Sequence, residues 1–183
     1  MIKSYLITDP EFYGRNLITF IQKLSFAIDK NSVDFALYRD KKNLEYKVFA
    51  KDFVLTCKDK NIIPLLHQDY KLAKELNAFG VHLISTQFDA IEKAKKLGLF
   101  VVISAHTLEE IQKAQDLGAD AVTFSPIFNS PNKGKPIGLA PLKEIQGKIN
   151  IKIIALGGIT TEEQINAVES CGVFAYASIR KFI

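Results

Sequence analysis

The chain has 183 residues, enough for one domain with a real hydrophobic core, and we expect residues 1–183 to form a single domain. Its 48% hydrophobic and 24% charged residues are typical of a globular protein and exclude a largely disordered one. The net charge of +4 allows nucleic-acid binding, but lysines such as those of "IEKAKK" (91–96) fall on expected solvated helix faces. We therefore expect no nucleic-acid partner, and the charge weakly favours an anionic small-molecule ligand.

The sequence contains no apolar stretch of the roughly 18 to 20 residues that a membrane span requires. The start "MIKSYLITDPEF" has too short an apolar region for a signal peptide. We therefore expect a cytoplasmic protein without a membrane partner. Cys57 and Cys171 lie far apart and lack metal-ligand spacing, which predicts two buried thiols rather than a disulfide or a zinc site.

Short apolar runs alternate with stretches of helical spacing along the whole chain. This rhythm is typical of a parallel α/β fold. Eight repeats favour a small (β/α)8 TIM barrel over an open sheet. The predicted strands are 2–8, 33–39, 62–66, 80–84, 99–104, 120–125, 151–156 and 173–178.

Two helices carry clear end signals. Thr107 is a predicted N-cap, with Glu110 as its capping-box partner and Gly118 as the C-terminal stop. Thr160 opens another predicted helix, which ends at Gly172. Only five residues follow the eighth strand, so the final helix of the barrel is predicted to be missing. That end is expected to be exposed, or covered by the first helical segment or by a partner subunit, and we predict a homodimer.

The loops after strands six, seven and eight are the candidate ligand site, because TIM barrels carry their functional groups at the carboxyl ends of the strands. Gly157 and Gly158 would let a phosphate approach the backbone, with Thr160 beginning the helix that follows. A tight turn without a ligand explains two glycines equally well. Arg180 would point to the same rim, although a terminal arginine is usually solvated.

The segment 125–138, "SPIFNSPNKGKPIG", is long and polar for a loop between two buried strands. Ser130, Asn132 and Lys133 in this loop are predicted to close over a bound anion. The alternative is a surface loop with incidental polar residues. Loops of this length in compact domains are more often functional.

Four segments resemble the thiamine phosphate synthase and TenI family of TIM barrels. They are "YLITD" (5–9), "SAHTLEE" (104–110), "GADAVTFSPIFNSPNKG" (118–134) and "IIALGGITTEE" (153–163). The resemblance implies a barrel that binds thiazole phosphate. In the synthases, hydroxymethylpyrimidine diphosphate loses its diphosphate with Mg²⁺ assistance, and the thiazole nitrogen captures the pyrimidine cation. Some TenI relatives are thiazole tautomerases.

The resemblance carries the phosphate half of the site over to this chain. Gly157 and Gly158 match the family's glycines. Ser130 and Lys133 stand where the family has threonine and lysine, and Asn132 replaces a second threonine. A small-molecule phosphate, either thiazole phosphate or thiamine phosphate, is therefore the implied partner.

The diphosphate half is carried over unevenly. Arg39, Lys41 and Ser104 match the family's diphosphate contacts. Gln68 and Gln87 stand at the two Mg²⁺-ligating aspartate positions, and two neutral amides should bind Mg²⁺ poorly. The family's cofactor is therefore doubtful here, and we predict no metal ligands.

Other departures concern the reacting groups. Leu37 replaces the glutamine that recognises the pyrimidine, and Pro126 occupies the position of the tautomerase histidine. His67 occupies a site position after strand three, whereas His82 and His106 are more simply interpreted as structural residues.

Three hypotheses remain. In a divergent thiamine phosphate synthase, Arg39, Lys41, Ser104 and Lys133 hold the diphosphate, and this hypothesis is placed first. In a TenI-like tautomerase acting on a thiazole phosphate, His67 or His106 transfers the proton. The third is a non-catalytic barrel that binds thiazole or thiamine phosphate.

Overall fold

The computed structural model describes residues 1–131 and 133–183 of the chain. Eight parallel strands form one closed barrel in chain order, with the first strand paired to the last. This confirms the predicted (β/α)8 fold. The strands are β1 Lys3–Ile7, β2 Phe35–Tyr38, β3 Ile63–His67, β4 Gly80–Leu83, β5 Phe100–Ala105, β6 Ala121–Phe124, β7 Lys152–Leu156 and β8 Ala175–Ser178.

Helices connect the strands and surround the barrel. None of those in the described part of the chain has the length and apolar character of a membrane span. Short 3₁₀ turns occur at Phe88–Ala90 and Arg180–Phe182. The α-helices are α1 Pro10–Tyr13, α2 Leu17–Lys30, α3 Tyr46–Asp59, α4 Tyr70–Glu75, α5 Ile91–Lys96, α6 Leu108–Asp116, α7 Leu139–Gln146 and α8 Glu162–Glu169.

The hydrophobic core has two layers because successive strand residues point to opposite faces of the sheet. Leu37 of β2 is paired in register with Leu65 of β3, and both belong to the cluster that fills the barrel interior. Leu66, the next residue, packs in the larger cluster between the sheet and the helices. Cys57 and Cys171 are free and buried, as predicted.

The helix-capping predictions are partly confirmed. The Thr107 side chain accepts a hydrogen bond from the Glu110 N–H at the start of α6. The Glu110 carboxylate accepts from the N–H of His106, one residue before the cap. The prediction for α8 was wrong by one residue: Thr161, not Thr160, is the N-cap, because it forms a reciprocal capping box with Gln164.

The end of the barrel after β8 is covered within the described chain. The 3₁₀ turn Arg180–Phe182 follows β8, and Phe182 is only 1% exposed. The Phe182 ring stacks on Tyr176, with 6.1 Å between the ring centroids. The Tyr13 hydroxyl at the end of α1 donates to the Phe182 carbonyl over 3.4 Å. The first helical segment therefore contributes to this cover, one of the predicted alternatives.

Candidate active site

A cavity of about 740 Å³ opens at the carboxyl ends of the strands. Its size lies in the usual range of small-molecule sites, about 300–1,000 Å³. Asn132 lies outside the described residues, and the predicted metal positions Gln68 and Gln87 are not among the residues described as lining the cavity. The predicted site residues that line it are Arg39, Lys41, His67, Ser104, Ser130, Lys133, Gly157, Gly158 and Arg180.

The cavity has a positive charge balance. Four cationic side chains line it, from Arg39, Lys41, Lys133 and Arg180, and Glu11 is the carboxylate that faces them among the described lining residues. Cationic walls of low dielectric concentrate anions of matching size. The arrangement can hold a ligand with several negative charges.

Arg39 is the best anchored of these cations. Its backbone N–H donates to the Thr8 side chain over 3.0 Å, and its guanidinium lies 3.4 Å from the Asp9 carboxylate. Asp9 also accepts from the Glu11 N–H as the N-cap of α1. The ends of β1 and β2 therefore fix the base of the Arg39 side chain, and its planar fork can take two phosphate oxygens.

The glycine pair after β7 is required by chain packing. Gly157 has φ 103°, and a Cβ atom there would lie 2.7 Å from the Cα of Pro126. Gly158 has φ 72°, and its Cβ atom would overlap the carbonyl oxygen of Asn129. The N–H of Phe128 donates to the Gly157 carbonyl over 2.9 Å. The absence of side chains at the two glycines thus lets the start of the β6–β7 loop pack directly against the end of β7.

The N–H groups near this pair differ in availability. Gln164 accepts from the N–H groups of Thr160 and Thr161, and the Thr161 side chain accepts from the N–H of Gln164. Thr160 lies one residue before the N-cap of α8 and its N–H is already bonded, so the prediction that the helix begins at Thr160 with a donor free for phosphate is wrong. The N–H groups of Gly157 and Gly158 have no acceptor within 1–131 and 133–183. These two strand-end amides are donors available to an anion.

His67 ends β3, is buried, and lines the cavity. Burial, with the nearby charges of Arg39 and Lys41, lowers its pKa to about 4. His82 lies on β4, 6.5 Å from His67 between ring centroids, and burial with the charges of His67 and Arg39 lowers its pKa to about 3. Both imidazoles are therefore neutral near pH 7 and can accept as well as donate a proton.

These two histidines make stability depend on acid pH. The His67 imidazole takes up a proton near pH 6.5 in the unfolded chain but only near pH 4 in the folded chain. Between these pH values the unfolded state therefore binds more protons. The contribution is complete above pH 6.5 and is lost as the pH falls to about 4, by about 3 kcal/mol for His67. We expect His67→Gln to flatten this loss in urea denaturation at several pH values. A slope in His67→Gln equal to that of the natural chain would contradict the assignment.

His106 lies at the mouth of the cavity and is exposed. Its Nδ1 atom is 3.3 Å from the carbonyl oxygen of Ser125, which can only accept, so Nδ1 carries the hydrogen. In the neutral ring the Nε2 atom then has a free lone pair. His106 therefore combines an accessible base with a fixed tautomer.

The two positions implied for Mg²⁺ ligands serve a different purpose. The Gln87 amide accepts from the Ile84 N–H over 3.2 Å and donates to the Gln68 carbonyl over 3.4 Å. Asp69 accepts from the Leu72 N–H as the N-cap of α4. No group of three potential His, Cys, Asp or Glu ligands occurs in the described part of the chain. Since Mg²⁺ is bound mainly through carboxylates, these residues do not fit a Mg²⁺ site.

Several cavity residues were not predicted from the sequence, among them a helical pair at the rim. Glu11 and Phe12 line the site from α1, which lies directly after β1. The dipeptide Asp9-Pro10 was a usable signal, since Asp is a favoured N-cap and proline is favoured at the first helical position. These two residues predict a short helix after β1, which brings the Glu11 carboxylate to the rim of the cavity.

Comparison with known proteins gives matches over nearly the whole chain. A family model described as thiamine monophosphate synthase matches residues 4–182. A putative thiamine-phosphate synthase 2 from Aquifex aeolicus (strain VF5) is 34% identical over 186 residues, which cover 99% of this chain and 97% of the relative. A thiamine-phosphate synthase from Clostridium novyi (strain NT) is 35% identical over 185 residues, which cover 93% and 85%. The structure of a thiamine phosphate pyrophosphorylase from Pyrococcus furiosus has the same fold, with a TM-score of 0.81 at 23% identity and coverage of 97% and 85%.

Proposed function

Because the chain belongs to the thiamine monophosphate synthase family, we propose that it is a transferase joining hydroxymethylpyrimidine diphosphate to thiazole phosphate. The bond between the pyrimidine methylene carbon and the diphosphate oxygen breaks, and the diphosphate leaves with the electron pair. The thiazole nitrogen lone pair then forms the new carbon–nitrogen bond. The products are thiamine phosphate and diphosphate.

The thiazole phosphate is assigned to the loops after β6, β7 and β8. The available N–H groups of Gly157 and Gly158 support this assignment, and Ser130 and Arg180 line the same cavity. Asn132, outside the described residues, is proposed for the same role from its place in the sequence. A phosphate held by backbone donors leaves the thiazole ring to extend toward the cavity centre.

The diphosphate is assigned to Arg39, Lys41, Ser104 and Lys133, which line the cavity together. The observation that carries the proposal is the excess of cations over carboxylates around one cavity of substrate size. Fixed positive charges stabilise the negative charge that grows on the departing diphosphate. His67, neutral and buried beside Arg39, is proposed to bond a ligand oxygen without adding charge.

The proposed step does not pass through a metal ion. The amides at Gln68 and Gln87 offer no anionic oxygen, and Gln87 is engaged by the backbone on both sides of its amide group. The cationic side chains are left to stabilise the leaving group. This makes the chain a divergent member of its family, in which chemistry depends less on Mg²⁺.

The proposal is tested by titrating the protein with thiazole phosphate and pyrimidine diphosphate in a calorimeter, followed by turnover assays with Mg²⁺ or EDTA. We expect both ligands to bind and turnover to persist in EDTA. In Gln68→Asp/Gln87→Asp, turnover should become Mg²⁺-dependent, because carboxylates supply the missing ligands. No turnover by the natural chain in either buffer, and no gain in the double variant, would contradict a synthase.

The thiazole tautomerase hypothesis has one supporting observation, the accessible Nε2 of His106 at the cavity mouth. The same preparations can be assayed for isomerisation of thiazole phosphate, with His106→Ala as the comparison. Binding of thiazole phosphate without either reaction would favour a binding-only barrel. The homodimer stays a prediction, to be checked by light scattering.

A further inference from the structure

Four polar side chains form a chain of contacts across the barrel interior, and two of them, His82 and Ser104, also line the cavity. The Tyr5 hydroxyl of β1 lies 3.1 Å from His82 Nδ1 on β4. On the other side of the ring, His82 Nε2 lies 3.2 Å from the Ser104 hydroxyl of β5. The Thr123 hydroxyl of β6 lies 3.4 Å from both Nε2 and the Ser104 hydroxyl.

The direction of these hydrogen bonds follows from Tyr5. Its side chain is 1% exposed, and His82 Nδ1 is its hydroxyl's partner within the described chain. If the ring donated from Nδ1, the Tyr5 hydroxyl proton would be buried without an acceptor, which is costly. Tyr5 therefore donates to Nδ1, and the neutral ring carries its hydrogen on Nε2.

The position of the hydrogen on His82 decides whether the Ser104 hydroxyl donates or accepts a hydrogen bond toward the cavity. The Nε2–H of His82 and the Thr123 hydroxyl both donate to the Ser104 oxygen, so its two lone pairs are in use. Ser104 lines the cavity, and its own proton remains for a ligand. We propose that His82 is a positioning residue, which fixes the Ser104 hydroxyl as a hydrogen-bond donor toward an anionic ligand oxygen.

The other tautomer of His82 would weaken the binding of an anion. With hydrogen on Nδ1, Ser104 would donate to Nε2 and turn its lone pairs toward the anion. Burial and the nearby charges of His67 and Arg39 lower the pKa of His82 to about 3, so the ring stays neutral and does not act as a charge switch. The proposed effect on Ser104 should therefore be constant across neutral pH. The binding of an anionic ligand by Ser104 rests on the proposed function, whereas the assignment of the His82 tautomer does not.

The proton order can be measured without any variant, by NMR of the full chain labelled with ¹⁵N-histidine. We expect His82 to show hydrogen on Nε2 and a bare Nδ1, unchanged from about pH 5.5 to 8. Tyr5→Phe removes the donor to Nδ1 and should shift the spectrum toward the other tautomer. The matched control Tyr13→Phe also removes a buried tyrosine hydroxyl, but one bonded to the Phe182 carbonyl, and should leave the His82 signals in place. Hydrogen on Nδ1 in the natural chain would overturn the proposal.

Its consequence for binding is measured with inorganic pyrophosphate as the probe. Tyr5 is not one of the residues described around the cavity, yet Tyr5→Phe should weaken binding about fivefold, because Ser104 loses its fixed direction. In a Ser104→Ala background the same change should have no further effect, since the group that it orients is gone. An equal loss in both backgrounds would mean a general structural effect and would overturn the positioning role. If the natural chain bound no pyrophosphate, the proposed function would fail, and the NMR result would still decide the proton order.

Discussion

Replacing Gly158 with alanine is expected to destabilise the protein by roughly 3–5 kcal/mol, because two penalties act at one residue. The backbone has φ 72°, which side chains rarely adopt, and the new Cβ atom would lie 2.8 Å from the Cβ of Phe128 as well as against the Asn129 carbonyl. The start of the β6–β7 loop would have to leave the end of β7. Urea denaturation followed by circular dichroism measures the loss.

Gly118→Ala is the matched control. Gly118 has φ 84°, but a Cβ atom there meets nothing within 4 Å. Only the backbone penalty remains, and we expect a loss of roughly 1–2 kcal/mol. Equal losses in the two variants would show that contact with the loop is not the reason for glycine at position 158.

Replacing Arg39 with alanine is expected to weaken pyrophosphate binding about 100-fold, the largest effect of any single cation in the cavity. Arg39 is the cation whose base is fixed by Thr8 and Asp9, so little freedom is lost when it binds. The affinity of Arg39→Lys should lie between those of the natural chain and Arg39→Ala, because lysine keeps the positive charge but lacks the planar guanidinium group. Isothermal calorimetry at one salt concentration provides the comparison.

The control for net charge is Arg15→Ala, which removes an exposed arginine that is not among the described cavity residues. Its affinity for pyrophosphate should stay within about twofold of the natural chain, because an exposed side chain outside the cavity makes no direct contact with the ligand and its charge is weakened by water and salt. If Arg39→Ala and Arg15→Ala behaved alike, the cavity would not be the pyrophosphate site.

The barrel could be predicted from sequence because its signal is repeated. Eight apolar runs, each followed by a helical stretch, leave few alternatives, and the ends of α6 were marked by Thr107 and Gly118. The start of α8 was less certain, since Thr160 and Thr161 are adjacent and both able to cap. Only the reciprocal bonds with Gln164 distinguish them.

The candidate site was predictable only where position along the chain sufficed. Arg39 and Ser104 lie near the carboxyl ends of strands, and the fold alone brings such residues together. The role of Gly158 was not visible, because its neighbour Asn129 comes from a different loop. Nor could sequence assign His82, whose protonation depends on contacts with Tyr5 and Ser104 across the barrel.

The Gln87 amide has a mechanical consequence for this cavity. Through its bonds to Ile84 and Gln68 it staples the segment after β4 to the segment after β3. A divalent ion shared between two loops would hold them together only while it stayed bound. The hydrogen bonds of the Gln87 amide are part of the chain itself. The two segments that they link should therefore keep their positions when chelators or fluctuating ion levels remove free Mg²⁺.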